Sequence, residues 1–228
     1  KVVSDVLSLF YPSICLGCGS SLVENENTIC FACWGSFPKT NFHRVPDNIV
    51  AQRLFGRVLV QHACSFYYFQ KESKLQHILH ALKYKGNQDI GFALGKQMGL
   101  DVMHATWIKE IEAIIPVPLS KEKFKHRGYN QSELLAIGLA EILQKPVLTD
   151  VLLRTKNTKT QTAMHIRERQ ANVRNAFKVQ NENKIANKHI LMVDDVFTTG
   201  ATIEACILAM REIESLQFSI LTLAYAIE

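Results

Sequence analysis

The sequence predicts an α/β fold, a mostly parallel sheet with flanking helices, preceded by a small metal-binding ribbon. Three observations predict it. Beyond about residue 45, apolar strand-like runs alternate with helix-length stretches, the pattern of βαβ crossovers. Before that point, four cysteines fall in the order Cys-x2-Cys-x11-Cys-x2-Cys. Near the other end, an apolar strand runs into two adjacent acids and a Thr/Gly-rich turn, a pattern suited to the ligand crevice at the carboxyl ends of parallel strands. The 228 residues are 47% hydrophobic and 21% charged, which excludes disorder and collagen-like structure. Apolar runs such as residues 215–227 are broken well short of the roughly 20 residues a spanning helix needs. No basic segment precedes an apolar one at the start. A soluble, cytoplasmic chain without membrane insertion is the expectation.

In chain order, the first element is the ribbon, assigned to residues 1–45, with 46–228 as the larger domain. Two short knuckles at Cys15, Cys18, Cys30 and Cys33 can each supply half of a tetrahedron of thiolates to Zn²⁺, giving a closed structural site. Disulfides are the alternative, but a chain with no sign of export lives where thiols stay reduced. So small a ribbon buries little core and is expected to fold on its metal, while the larger domain is expected to fold on a core of its own. Residues 62–69 (HACSFYYF) read as a strand holding Cys64. A helix follows at 73–84, where Leu75, Ile78, Leu79 and Leu82 recur at helical spacing, and another at about 89–105. Next come a strand over Ala113–Val117, a basic loop over 121–127, a helix from near Asn130, a mixed polar stretch and a strand over His189–Val193. A helix from Gly200 to about Ile213 and a final strand close the chain, with Cys206 on the helix's apolar side. Both Cys64 and Cys206 read as core residues.

The stretch ILMVDDVFTTGATIEA (190–205) carries the most chemistry. A helix N-terminus after a parallel strand offers unpaired N–H groups and a positive dipole end to a phosphate, and Gly200 permits close approach. Thr198, Thr199 and Thr202 add hydroxyls. Asp194 and Asp195 would repel an anion unless they serve another part of the ligand, such as sugar hydroxyls or Mg²⁺. Phosphate, hydroxyls and metal together suggest a phosphorylated sugar. A capped helix with two solvent-facing acids explains one Thr or Asp, but not the whole cluster.

Net charge is +5, and it is uneven. Residues 121–174 hold 11 Lys/Arg against 5 Asp/Glu, and the remainder holds 15 against 16. Such a stretch favours phosphates, and its excess is larger than one pyrophosphate requires. Phe124, Tyr129 and Trp107 beside Lys121, Lys123, Lys125, His126 and Arg127 mix aromatics with cations, which suits single-stranded nucleic acid. A solvated basic surface with packed aromatics is the competing reading.

VDDVFTTGAT closely resembles the phosphoribosyl-pyrophosphate (PRPP) loop of type I phosphoribosyltransferases. The cysteine pairs, ALKYKGN (81–87), PVPLSKEKFKHRGYNQ (116–131), QTAMHIRERQANVRNAF (161–177) and VDDVFTTGAT stand in the order seen in the competence protein F (ComF) family, covering nearly the whole chain. The resemblance implies a type I phosphoribosyltransferase fold behind a zinc ribbon. It assigns the ribose hydroxyls to Asp194 and Asp195 as catalytic and PRPP-binding residues. It assigns the 5′-phosphate to Thr198, Thr199, Gly200, Ala201 and Thr202. Ser120, Lys121, Arg127 and Gly128 stand where the pyrophosphate loop belongs, and Mg²⁺ accompanies PRPP. A lid over 154–174 would bring Lys156, Lys159, Arg167 and Arg169 to the phosphates. The family's link to natural transformation implies single-stranded DNA as a partner, held by Lys121, Lys123, Lys125, Arg127, Tyr129, Arg167 and Arg169, together with proteins of the competence machinery. The alternative is an active phosphoribosyltransferase of nucleotide or base metabolism, its acceptor unspecified.

Overall fold

The computed structural model describes residues 13–84, 86–155 and 176–227. Four strands, β1 (His62–Phe69), β2 (Ala113–Pro116), β5 (His189–Phe197) and β6 (Gln217–Ala226), form one sheet in the order β1-β6-β5-β2. Every neighbouring pair in it is parallel. Two short strands, β3 (Leu152–Arg154) and β4 (Phe177–Val179), make a separate antiparallel pair. Among the described residues the helices are α1 (Phe31–Ser36), α2 (Ile49–Leu54), α3 (Lys74–Tyr84), α4 (Gln88–Val102), α5 (Lys121–Arg127), α6 (Gln131–Leu143) and α7 (Ala201–Met210).

Side chains alternate across the sheet, as strand geometry dictates. On β5, Leu191 and Val193 join one core with residues of α3, α4 and α6. Ile190 and Met192 join the other core with α2, α7 and Phe177 of β4. A parallel sheet covered on both faces needs such continuous apolar strands. Helices α4 and α6 cross so closely that a Cβ on Gly95 would lie 2.1 Å from the Leu135 carbonyl oxygen. A Cβ on Gly138 would lie 2.2 Å from that of Phe92, so only glycine fits at either crossing point.

Two expectations are corrected. Residues 121–127 are not a loop: Ser120 caps them by accepting from the Lys123 N–H at 3.3 Å, and Gly128, at φ 79°, ends the helix with its N–H on the Phe124 carbonyl. Strand β5 runs through Asp194 and Asp195 to Phe197, four residues further than its apolar run indicates, because its pairing with β6 continues beyond the acids. The ribbon packs against the sheet and α3. Cys15, Ile29, Cys33 and Phe37 share one core with Tyr67, Leu75 and Ile78, and the Thr40 N–H donates to the Phe66 carbonyl on the edge strand at 2.8 Å. Cys64 and Cys206 are buried core residues, and burial pushes the Cys64 thiol up to about 12.

Candidate functional site

At the ribbon, the four sulfur atoms of Cys15, Cys18, Cys30 and Cys33 all lie within 4.8 Å of one another. None is in a disulfide. Backbone N–H groups of Gly17 and Cys30 point at the Cys15 sulfur at 3.4 and 3.3 Å, and that of Cys33 at the Cys30 sulfur at 3.4 Å. Such donors stabilise thiolates, so the spacing, the closeness of the sulfurs and these N–H contacts fit a bound metal ion.

At the carboxyl end of β5, Asp194 and Asp195 lie half-buried. The Ser132 hydroxyl, in the first turn of α6, donates to Asp194 Oδ1 at 2.9 Å, as does the Asp195 N–H. Ser132 is held in turn by Asn130, which accepts from the Ser132 N–H and donates to the Val117 carbonyl. Lys83, from the last turn of α3, pairs with Asp195 at 2.6 Å. Desolvation, then the neighbouring Asp195 charge, raises the Asp194 carboxyl to about 7, outweighing its hydrogen bonds. One ammonium for two carboxylates leaves the pair able to receive hydroxyl donors or a cation. Strand β2 ends beside it, with the Val117 N–H on the Val193 carbonyl at 2.8 Å.

Beyond the pair, the turn at 198–200 is shaped by arginines from α2 and the segment after it. Arg53 donates to the Thr198 carbonyl at 2.9 Å and Arg57 to the Thr199 carbonyl at 2.6 Å. Arg57 also pairs with Glu204. Among the described residues no peptide is cis, and a trans peptide sets the following N–H opposite its carbonyl. The N–H groups of Thr199 and Gly200 therefore point away from the arginines. Gly200 sits at φ 78°, and a Cβ there would lie 2.8 Å from the Phe197 ring. Thr198 and Thr199 are exposed, and Ala201 and Thr202 begin α7. The turn thus brings exposed threonines and the N-terminus of α7 together, with the Ala201 N–H donating to Thr199 Oγ1 at 3.4 Å, an arrangement suited to a phosphate.

Among the basic candidates, Lys121, Lys123 and Lys125 are exposed on α5, and Phe124 is 50% exposed beside them. Arg127 is half-buried, donating to Gln131 Oε1 at 2.7 Å. Tyr129 and Trp107 are not surface aromatics. Tyr129 is buried with its hydroxyl donating to the Leu82 carbonyl, and Trp107 is buried with His62 stacked on it. Neither offers a face to a base, because both fill the core. Lys156, Lys159, Arg167 and Arg169 lie outside the described residues.

Sequence reasoning missed Lys83, Ser132, Arg53 and Arg57. Lys83 lies inside the ALKYKGN motif, and Ser132 just after the Asn130 cap. Arg53 and Arg57 have no local signal, being 145 and 142 residues from the carbonyls they hold. Among the described residues, no helix is long and apolar enough to cross a membrane.

Residues 130–228, which include the acid pair, the turn and α6, match the phosphoribosyl transferase domain family. The chain is 31% identical over 200 residues to DNA utilization protein YhgH of Shigella flexneri, covering 86% of this chain and 83% of that one. It is 36% identical over 114 residues to competence protein F of Haemophilus influenzae, half of each chain. Against competence protein ComFC of Bacillus subtilis it is 25% identical over 215 residues, 83% of this chain and 85% of the other. Adenine phosphoribosyl transferase from Trypanosoma brucei superposes with a TM-score of 0.42 at 12% identity, over 72% of this chain and 83% of that one. With a cysteine ribbon in front of a parallel sheet that carries the acid pair, the chain belongs to the family of DNA utilization protein YhgH and competence protein F, and residues 130–228 are a phosphoribosyl transferase domain.

Proposed function

We propose that this protein binds PRPP with Mg²⁺ at the β5–α7 turn and single-stranded DNA along α5, and that it acts in DNA uptake on the cytoplasmic side. The observation that carries the reading is the orientation of the turn. Arg53 and Arg57 draw the Thr198 and Thr199 carbonyls to one side, and the N–H groups are left for the 5′-phosphate on the other. Asp194 and Asp195 take the ribose hydroxyls, and Lys83 offsets their charge. Mg²⁺ neutralises the pyrophosphate when bound. The relatives' names, DNA utilization and competence, support the DNA role. Three exposed lysines with Phe124 on one short helix support a backbone contact with an aromatic neighbour. Cys15, Cys18, Cys30 and Cys33 hold Zn²⁺, which d¹⁰ tetrahedral chemistry and four thiolates favour, and the ion ties the two knuckles together. Proteins of the competence machinery are the further partners, and residues 1–45 and 46–228 are the two functional units.

The test is a titration of the purified protein with PRPP and Mg²⁺, repeated with a single-stranded oligonucleotide in competition. PRPP binding that requires Mg²⁺, together with oligonucleotide binding at low salt, is expected. Absence of oligonucleotide binding, alongside turnover of PRPP with a purine or pyrimidine base, would replace the DNA reading with a transferase.

A further inference from the structure

Tyr84 ends α3, one residue from the lysine that pairs with Asp195, and it is 54% exposed. An exposed tyrosine is ordinarily a free rotor, but this ring is held from several sides. The Arg127 guanidinium lies over it, 5.1 Å from its centroid. The same guanidinium reaches the Tyr84 hydroxyl at 3.4 Å. The imidazole of His80, one turn back on α3, lies 4.9 Å away at 45°, and that of His126 lies edge-on at 6.3 Å. Arg127 is itself fixed by Gln131 at 2.7 Å. The adjoining residue, Ser132, holds Asp194.

Three helices therefore join this aromatic group to the acid pair. Helix α3 carries both Tyr84 and the neighbouring Lys83 that pairs with Asp195, while α5 and α6 bring Arg127 to the ring and Ser132 to Asp194. A fixed, half-exposed ring backed by a guanidinium suits a planar π-system, since aromatic and guanidinium planes both stack on bases. Its sequence neighbour Lys83 and the Ser132 next to Arg127's partner Gln131 both hold the acid pair suited to ribose hydroxyls, which points to a planar group attached to a sugar. We propose that Tyr84, backed by Arg127, His80 and His126, is a stacking site for an unpaired nucleobase. The proposal rests on the reading of the neighbouring pair as a sugar-phosphate site, and it identifies the chemistry that lies next to it.

The test uses the full chain and three probes at low salt: a labelled thymidine oligonucleotide, an abasic strand of equal length, and a nucleoside monophosphate. Tyr84→Leu removes the ring, and Tyr84→Phe keeps it without the hydroxyl; circular dichroism checks the fold of each. The wild type should prefer the base-bearing strand over the abasic one by roughly fivefold or more, the lower end of base–aromatic stacking. Tyr84→Leu should cut that ratio severalfold with its salt slope unchanged, and Tyr84→Phe should retain it. A Tyr84-dependent affinity for the monophosphate, with no strand preference, would assign the same stacking site to a free nucleotide. If the wild type binds neither strand, the DNA reading fails, and the monophosphate alone decides the stacking site. A folded Tyr84→Leu that keeps wild-type preference and wild-type monophosphate affinity, or a wild type that shows neither, would overturn the proposal.

Discussion

Asp194 shows how position alone gives a common side chain an uncommon property. Burial and the adjacent Asp195 raise its carboxyl to about 7, whereas an unfolded aspartate titrates near 3.9. Between those values the folded chain holds a proton that the unfolded chain releases. The stability from this group is therefore present in full below about pH 4 and is lost as the pH rises through about 7. Asp194→Asn cannot titrate, so the stability difference between the variant and the wild type should shift in favour of the variant across this window. Urea midpoints of both proteins between pH 4 and 8 measure it, and parallel curves would contradict the assignment. The acids were legible in the sequence because two carboxylates at a strand end stand out. Their partners Lys83 and Ser132 were not, since the contacts that define them come from two other helices.

At the scale of elements, α5 concentrates exposed charge: Lys121, Lys123 and Lys125 lie on one short helix between the Ser120 cap and Gly128. If these lysines neutralise phosphates of a single strand, log K should fall with log salt at roughly −0.7 per contact. Changing all three to Ala should then reduce the slope by about two units, with equal loss across base sequences. An unchanged slope, measured by fluorescence anisotropy, would remove α5 from the interface. Its helical state was hidden because KEKFKHR has no buried residue, and so no periodicity to read. The alternation of strands and helices elsewhere was plain, because every strand of the main sheet carries a buried apolar run. The short β3–β4 pair went unseen, since strands of three residues are too brief for a pattern.

Across the whole molecule, the ribbon and the sheet are joined through one core, in which Cys15, Cys33 and Phe37 meet Tyr67 and Ile78. The cysteine spacing made the ribbon legible, but its docking was not, since the apolar residues it meets lie far along the chain. Replacing Cys30 by Ser removes one thiolate and should lower the thermal midpoint of the α/β signal as well as that of the ribbon. An unchanged far-ultraviolet melt of the larger domain would show that the two units are independent. The same core anchors the helices that bring Lys83 and Ser132 to the acid pair, so the geometry of the pair depends on the assembled fold. The most direct measurement is calorimetric titration of PRPP with Mg²⁺ into the wild type and into Asp194→Asn/Asp195→Asn, which removes the charge and keeps the shape. The double variant should bind at least tenfold more weakly, about 1.4 kcal/mol, while folding normally. Equal affinity in the two proteins would contradict the assignment of the acid pair to the sugar.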